Sequence, residues 1–375
     1  MTVVESSSAV RVRESPARGD EKGGERASMA DTSTSLPLVS IIVPVYNGEK
    51  YVRESLDSIL AQTYPRTEVL VMDDASTDRT PAILQSYRDQ VRVIRQPQNR
   101  GIYGNANDGI AMARGQHIAV YHADDVYLPT IVEREVEFLE GHPEAGAVFT
   151  GMTFIGPTGE EFGRLELPPE VRGSRPLDFA VIFNALLNHM NHFLMCPTAM
   201  VRASVYREVG VYRDEVFRNT SDMEMWLRIA RKYAVGILDE RLLCYRHFHD
   251  SSSLRYHRLR SEAGRYFRIM DLYLEDGGRA VATPAALAAH EAHRAEDLLM
   301  VAVSNYILDR RQEAGAVLRQ VRAARILGSP RIQRGRMFLL YLMLQVLVRL
   351  PRIPLVGDAF RRRWHEEGPG EANSH

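Results

Sequence analysis

The sequence predicts an α/β protein built on a doubly wound, mainly parallel sheet. Apolar runs of strand length occur at residues 38–47, 68–73 and 117–123, and the first two are nearly continuous, as in strands buried on both faces. Segments with helical patterns separate these runs. Such an alternation of strand and helix is typical of a parallel sheet with helical crossovers.

The first strand leads into a candidate ligand-binding loop. Residues 1–36 lack periodicity and are rich in Ser, Arg, Glu, Gly and Ala, which predicts a disordered tail. Pro44 has no amide donor, so strand pairing is expected to end near it. Tyr46 and Glu49 then lie in the first strand-to-helix loop, where α/β proteins bind a base or ribose. A helix over residues 51–62 follows.

The second strand ends in carboxylates. Asp74 is the better ligand candidate, because a carboxylate at a strand end accepts hydrogen bonds from a base or ribose. Ser76 and Asp78 fit a turn and a helix cap. After a short strand at residues 91–94, glycines and asparagines over residues 99–109 predict a loop whose backbone closely approaches another group.

The third strand ends in the adjacent acids Asp124 and Asp125. Side chains alternate along a strand, so the two carboxylates point to different sides and have different roles. Carboxylate oxygens suit Mg²⁺ or Mn²⁺, which bind through one or two carboxylates and substrate phosphates. The alternative is an Asx turn in which the acids cap a helix.

Further elements follow in chain order. Asp222 is placed at a helix N-terminus, where the dipole stabilises a carboxylate, and the simpler interpretation is an N-cap. Trp226 lies on the apolar face of that helix. Other expected elements are a helix over residues 128–141, a strand over 145–153, a long loop over 156–180, and a strand, turn and short helix over 198–210.

The C-terminal third is helical in pattern. Residues 285–308 and 312–327 predict an antiparallel pair of helices. Residues 337–348 are apolar nearly all round with arginines on both sides, and they are too few to span a bilayer. This segment is either a packing helix or an interfacial anchor that gives peripheral membrane contact.

Composition excludes several classes of protein. A net charge of −1 gives no argument for nucleic acid binding. Two cysteines, Cys196 and Cys244, are too few for a disulfide framework, and this number fits a reducing cytoplasm. The N-terminus has no apolar signal core. Dinucleotide and P-loop fingerprints are absent from the sequence.

Four motifs in order carry a family resemblance. They are VSIIVPVYNGE at 39–49, VMDDASTD at 71–78, NRG at 99–101 and HADD at 122–125. Together they resemble the motifs of family 2 glycosyltransferases, which have the GT-A fold and are similar to spore-coat polysaccharide glycosyltransferases. The resemblance covers roughly residues 37–253.

The resemblance implies roles for the motif residues. Pro44, Tyr46 and Asp74 would hold the nucleotide base, Asp124 would contact the ribose, and Asp125 would bind the metal that bridges the diphosphate. Two further positions are expected to contact substrate. They are Gly101, in the third motif, and Asn107, which matches a common Asn of the family.

Two departures from the family pattern affect the diphosphate contacts. His122 stands where many members have an acid, and Ala106 stands where many have a basic residue.

The family's catalytic-base segment matches the sequence around Asp222. Asp222 therefore resembles the base that deprotonates the acceptor, Ser221 replaces a usual Glu, and Glu224 is the fallback base. The segment 244–253 resembles a family motif in which His247 or His249 would complete the metal shell or touch the diphosphate, and the alternative is that these histidines are structural.

The resulting expectation is a metal-dependent, inverting glycosyltransferase with Mg²⁺ or Mn²⁺ as cofactor. Its donor would be a nucleotide-diphosphate sugar, its acceptor a saccharide or lipid-linked hydroxyl, and nucleic acid would not be a partner. The alternatives are a nucleotide-sugar-binding protein without turnover and a nucleotidylyltransferase. The expected domains are a tail at 1–36, a GT-A domain at 37–254, a helical extension at 255–330, and an apolar helix with a polar tail at 331–375.

Overall fold

The structure is a computed structural model that describes residues 36–247, 260, 262–327 and 334–350. The chain divides into two units, Met1–Leu36 and Pro37–His375, and the fold below belongs to the second. The predicted N-terminal tail lies outside the described residues, apart from Leu36.

Ten strands of the described chain form one sheet. They are β1 (Val39–Val45), β2 (Thr67–Asp73), β3 (Arg92–Arg95), β4 (His117–Val120), β5 (Val126–Tyr127), β6 (Ala145–Ile155), β7 (Glu161–Arg164), β8 (Pro176–Leu177), β9 (Ala199–Arg202) and β10 (Ala234–Arg246).

The strand order is β3-β2-β1-β4-β9-β6-β10-β5, with β7 paired to β6 and β8 paired to β10. The block β3-β2-β1-β4 is parallel, β6 and β10 are parallel to each other, and β9 runs antiparallel between β4 and β6. Most of the residue pairing is therefore parallel, which confirms the predicted mixed α/β class.

The described helices are α1 (Val52–Leu60), α2 (Thr80–Gln85), α3 (Ile102–Met112), α4 (Ile131–Gly141), α5 (Phe179–His189), α6 (Ala203–Val209), α7 (Asp214–Phe217), α8 (Ser221–Ala230), α9 (Arg265–Glu275), α10 (Pro284–Ile307), α11 (Arg311–Leu318), α12 (Ala323–Leu327) and α13 (Arg334–Leu347). Helix α3 packs directly on β1 and β2. Gly109 permits this close approach, because a Cβ there would lie 2.4 Å from the Ile42 side chain.

Pro44 limits strand pairing on one side of β1 only. Pairing with β4 ends at Ile42, whereas pairing with β2 continues through Val45. The carboxyl ends of β1, β2 and β4 thus meet at one edge of the sheet. Ligands of open α/β sheets bind beyond such an edge.

Helices α10 to α13 share a second apolar core. Its buried members include Leu299 and Val303 of α10, Leu318 of α11, Ile326 of α12 and Leu344 of α13. The C-terminal helices therefore form a packed layer, and α13 contributes one face to it.

Three predictions about individual elements were wrong. Most of residues 99–109 is helix, because α3 begins at Ile102, directly after Gly101 with its positive φ of 76°. The predicted long loop at 156–180 contains β7 and β8, which find partners in β6 and β10. The predicted helix over 312–327 is two helices, α11 and α12.

Within the described part of the chain, no helix is both long enough and apolar enough to cross a bilayer.

Candidate active site

A cavity of about 1060 Å³ lies beyond the carboxyl ends of the parallel strands. It reaches from the first strand-to-helix loop to the C-terminal helices. The residues singled out by the sequence that line it are Pro44, Tyr46, Asp74, Gly101, His122, Asp124 and Asp222, whereas the predicted metal ligand Asp125 is not among its lining residues. The structure therefore brings together side chains that are far apart along the chain.

Two predicted substrate-binding residues do not line this cavity. Glu49 accepts hydrogen bonds from the backbone and guanidinium of Arg79, linking the loops that follow β1 and β2. Asn107 holds the backbone of Tyr212 through two hydrogen bonds of 2.8 and 3.0 Å. The side-chain NH₂ and carbonyl oxygen of Asn107 are thereby both used within the protein. A substrate contact by Glu49 or by Asn107 stays a prediction.

The turn after β4 carries a candidate metal centre. His122, Asp124 and Asp125 each offer a ligand atom, and these atoms lie within 4.8 Å of one another. Among the described residues no other group of this kind occurs. His122, which stands where many members of the resembled family have an acid, therefore lies in the candidate ligand set.

The burial of Asp125 supports this assignment. Its side chain is 1 % exposed, and Oδ1 accepts a hydrogen bond from the Arg246 N–H at 2.7 Å. Oδ2 has no hydrogen-bond partner among the described residues and lies 3.8 Å from Nδ1 of His122. Burial, with the neighbouring Asp124, raises the pKa of Asp125 well above its usual range. A cation at Oδ2 would relieve the cost of this buried, unpartnered oxygen.

The ligand types fit a divalent first-row metal. Burial lowers the pKa of His122, which favours the neutral imidazole that binds metals. Two carboxylates suit Mg²⁺ or Mn²⁺, whereas an imidazole suits a transition metal better than Mg²⁺.

Arg246 at the end of β10 fixes the acidic turn. Its Nε donates to the carbonyl of Asp124 at 2.9 Å, and one terminal nitrogen donates to the carbonyl of Gly156 at 3.1 Å. The other terminal nitrogen forms an ion pair with Glu54 at 2.7 Å. This buried guanidinium thus connects the acidic turn, α1 and the end of β6.

Tyr127 closes the same turn from the other side. Its hydroxyl accepts a hydrogen bond from the His122 N–H at 2.6 Å, and its ring stacks on Tyr121 at 4.0 Å. Ser55 of α1 donates to the His122 carbonyl at 3.0 Å. The candidate ligands are therefore held by a rigid, buried frame, as metal ligands generally are.

Asp74 orders the loop before α3. Its carboxylate oxygens accept hydrogen bonds from the N–H groups of Arg100 and Gly101 at 2.8 and 2.9 Å. Burial raises the pKa of Asp74, and these two bonds oppose the rise. Each oxygen retains a second lone pair, so Asp74 keeps the capacity to accept from a bound base or ribose.

Asp222 faces the same cavity from the first turn of α8. Burial raises its pKa to about 6, while hydrogen bonds from the Met223 backbone and the Tyr103 hydroxyl act in the opposite direction. A carboxylate with this pKa is mostly ionised at neutral pH and is still a stronger base than an ordinary Asp. Its position and pKa fit a general base.

Glu224, the fallback base, is engaged elsewhere. It is 2 % exposed, does not line the cavity, and pairs with Arg228 at 3.1 Å and Arg213 at 3.3 Å. Ser221 is buried and its hydroxyl donates to the Arg218 carbonyl at 2.5 Å. Of Ser221, Asp222 and Glu224, Asp222 is thus the one that lines the cavity.

Sequence reasoning missed two residues of the site. Arg246 lies in the segment 244–253, but the sequence pattern assigned it no role. Its contact with Asp125 joins positions that are 121 residues apart. Tyr103 follows the third motif, and nothing in its local pattern marks it as a partner of Asp222. Of the two histidines suggested for the metal shell, His247 is not in the candidate ligand set, and His249 lies outside the described residues.

The far end of the cavity is formed by the helical extension. Met300, His293 and the acidic residues Glu296 and Asp297 of α10 line it, together with Met337 of α13. The Asp297 carboxylate accepts a hydrogen bond from the Gly264 N–H at 2.9 Å. The helical layer is therefore part of the site and not only an appendage to the sheet.

This fold and this site define a class of protein. It is an α/β protein with a cavity beyond the carboxyl ends of parallel strands, a candidate metal centre at one strand end and a candidate carboxylate base in the same cavity.

Sequence comparisons identify the family. The family described as "Glycosyl transferase family 2" matches residues 40–210. An uncharacterized glycosyltransferase of Rickettsia typhi is 30% identical over 222 residues, which are 59% of this chain and 67% of that protein. The chain belongs to glycosyltransferase family 2.

The extent of the match differs between relatives. An uncharacterized glycosyltransferase of Rickettsia bellii is 32% identical over 220 residues, 58% of this chain but only 31% of that protein. Among solved structures, S. aureus TarS 1–349 is similar with a TM-score of 0.53 and 18% identity, covering 83% of this chain and 91% of that one. The structural likeness confirms the GT-A fold.

Proposed function

We propose that the protein is a metal-dependent, inverting glycosyltransferase that moves a sugar from a nucleotide-diphosphate donor to an acceptor hydroxyl. The observation that supports this best is a single cavity lined by the acidic turn and by Asp222, whose pKa is about 6. A donor diphosphate at the turn and an acceptor at Asp222 would then meet in one space.

The donor end would use the residues at the strand ends. Tyr46 is 51 % exposed at the cavity and offers an aromatic face to a nucleotide base. Asp74 and Asp124 would accept hydrogen bonds from the base and the ribose. His122, Asp124 and Asp125 would hold Mn²⁺ or Mg²⁺, which as a Lewis acid stabilises the charge on the departing diphosphate.

The acceptor end would use Asp222. An acceptor hydroxyl is a poor nucleophile at neutral pH, and a carboxylate within hydrogen-bond reach takes its proton as the new bond forms. The Tyr103 hydroxyl orients that carboxylate. Direct displacement with one base and no nucleophilic carboxylate inverts the configuration at the sugar.

The structure of TarS supplies the first donor to test, since that protein was solved with UDP and with UDP-GlcNAc. Donors carrying dTDP and GDP complete the panel.

The test is product formation from each nucleotide sugar with saccharide and lipid-linked acceptors, in the presence of Mn²⁺. The wild-type protein is compared with Asp222→Asn, which keeps the size of the side chain and removes the base, and with Asp125→Ala. We expect transfer with inversion in the wild type, a loss of about 10²-fold or more in Asp222→Asn with nucleotide binding retained, and loss of binding in Asp125→Ala.

Other outcomes would change the assignment. Nucleotide binding without turnover for any donor and acceptor would identify a nucleotide-sugar-binding protein. Release of diphosphate from a nucleoside triphosphate and a sugar phosphate would identify a nucleotidylyltransferase. Transfer with retention would contradict the single-displacement mechanism.

A further inference from the structure

Helix α13 presents two apolar faces, of which only one is packed against other residues that the structure describes. Its inner face contributes Leu344 and Leu347 to the core shared with α10 to α12. Its outer face carries an apolar stripe, the α13 stripe, whose side chains are 41 to 65 % exposed. The stripe consists of Leu339, Leu342, Met343 and Val346, continued by Leu350 just after the helix.

The spacing of the α13 stripe makes it continuous. At 100° per residue, its four helical members fall within an arc of roughly 100° on the side opposite Leu344. Isolated exposed apolar residues are ordinary, but a contiguous patch marks an interaction site. The stripe therefore needs an apolar partner surface.

The charge around the α13 stripe indicates what that surface is. Between Ala314 and Leu350 the sequence contains seven arginines and no Asp or Glu, although the whole chain has a net charge of −1. Arg336 and Arg349, at the two ends of the stripe, are exposed. An apolar face bordered by basic residues, on a chain whose remaining residues carry a net negative charge, matches an anionic lipid surface.

We propose that the α13 stripe inserts into the interface of an anionic bilayer, with Arg336 and Arg349 on the lipid headgroups. The helix has 14 residues and would lie in the plane of the interface, since a span requires about 20. A second copy of the chain is a poorer occupant, because the arginine-rich segments would face each other without acidic partners in the same segment.

Docking in this orientation has a consequence for the acceptor. Met337 of α13 lines the cavity that also holds Asp222. The docked helix would thus also form part of the wall of the proposed acceptor site. This consequence rests on the proposed function, whereas the docking itself does not.

Vesicle flotation of the full chain tests the proposal. Vesicles of phosphatidylcholine alone are compared with vesicles that also contain phosphatidylglycerol. We expect binding to the anionic vesicles that weakens at high salt. The double variant Leu339→Gln/Val346→Gln should lower the partition coefficient about tenfold or more, and Arg336→Gln/Arg349→Gln should lower it about fivefold per arginine.

The matched control is Leu272→Gln on α9, which removes an apolar side chain of 44 % exposure outside the stripe. Its vesicle binding should equal that of the wild type. Nucleotide binding by all variants is measured in parallel, so that failure of the donor site and failure of membrane docking are separate results.

Two results would overturn the proposal. One is equal partition of the wild type and Leu339→Gln/Val346→Gln into anionic vesicles. The other is a concentration-dependent dimer in sedimentation that the double variant abolishes, together with no vesicle binding, which would assign the α13 stripe to self-association.

Discussion

At the scale of single residues, Asp222 shows a conflict between stability and function. Burial raises its pKa from 3.8 to about 6, so the folded protein binds this proton more tightly than the unfolded chain does. The free energy of unfolding should therefore fall as pH rises from about 4 to about 6 and then stay at the lower level. The ionised carboxylate destabilises the fold and is retained at a position suited to a base.

Replacing Asp222 with Asn should stabilise the protein at pH 7.5. The neutral amide avoids the cost of a half-buried charge, and the gain in free energy of unfolding should be up to about 3 kcal/mol. Near pH 4 the wild-type carboxyl is protonated in the folded state, so the difference should nearly vanish. Urea unfolding at both pH values measures it, and a destabilised variant at pH 7.5 would assign Asp222 to the structure of α8.

The pH dependence of activity should report the same group. Below pH 6, kcat/KM is expected to fall about tenfold per pH unit, because the base becomes protonated. The control is Glu224→Gln, which removes the ion-paired acid of the same helix. This variant should leave unchanged the pH at which kcat/KM begins to fall. A limb near pH 4 would show that another carboxylate is the base.

At the scale of secondary-structure elements, Arg246 joins β10 to the acidic turn after β4. The side chain is 2 % exposed and donates to three backbone carbonyls, those of Asp124, Gly156 and Pro157, besides its ion pair with Glu54. A lysine cannot make these bonds together, because it lacks the planar fork of donors.

Arg246→Lys should therefore lower the free energy of unfolding by about 2–4 kcal/mol and weaken metal-dependent nucleotide binding. The control is Arg134→Lys on α4, whose ion pairs with Glu137 and Glu240 are half-exposed and should be worth less than about 1 kcal/mol. Urea unfolding and nucleotide titration measure both effects. Intact nucleotide affinity in Arg246→Lys would show that the turn does not depend on the guanidinium.

Local patterns explain which elements were predicted correctly. Continuous apolar runs predicted β1, β2 and β4, and the acids that follow β2 and β4 indicated the edge of the sheet that carries the site. The segment 99–109 was interpreted as loop because its Gly and Asn residues have low helix propensity. Packing against β1 and β2 overrides that propensity in α3. A glycine is required at position 109, because a Cβ there would clash with the Ile42 side chain.

Contacts between distant segments could not be predicted from those patterns. The hydrogen bond between Arg246 and Asp125, and the place of Met337 in the cavity wall, depend on how the chain folds back on itself. The amphipathic nature of α13 was also hidden, since its sequence is apolar nearly all round. Only packing against α10 to α12 separates an inner face from the exposed stripe.

At the scale of the whole molecule, sheet and helical layer enclose one cavity. Since ligand contacts would extend from Tyr46 at the sheet to α10, UDP with Mn²⁺ should raise the Tm of a single cooperative unfolding transition. Ligand at about 100 times its Kd corresponds to about 2.7 kcal/mol of added stability. Calorimetric unfolding measures this, and two transitions of which only one responds to ligand would show that the helical layer unfolds independently.

The central claim is that the turn carrying His122, Asp124 and Asp125 binds a metal that in turn binds a nucleotide diphosphate. Calorimetric titration of UDP, dTDP and GDP, with and without Mn²⁺, into the wild type and Asp125→Ala tests it most directly. We predict that one nucleotide binds tightly to the wild type only when Mn²⁺ is present, and that Asp125→Ala abolishes this binding. Binding of equal strength without metal, or in Asp125→Ala, would contradict the claim.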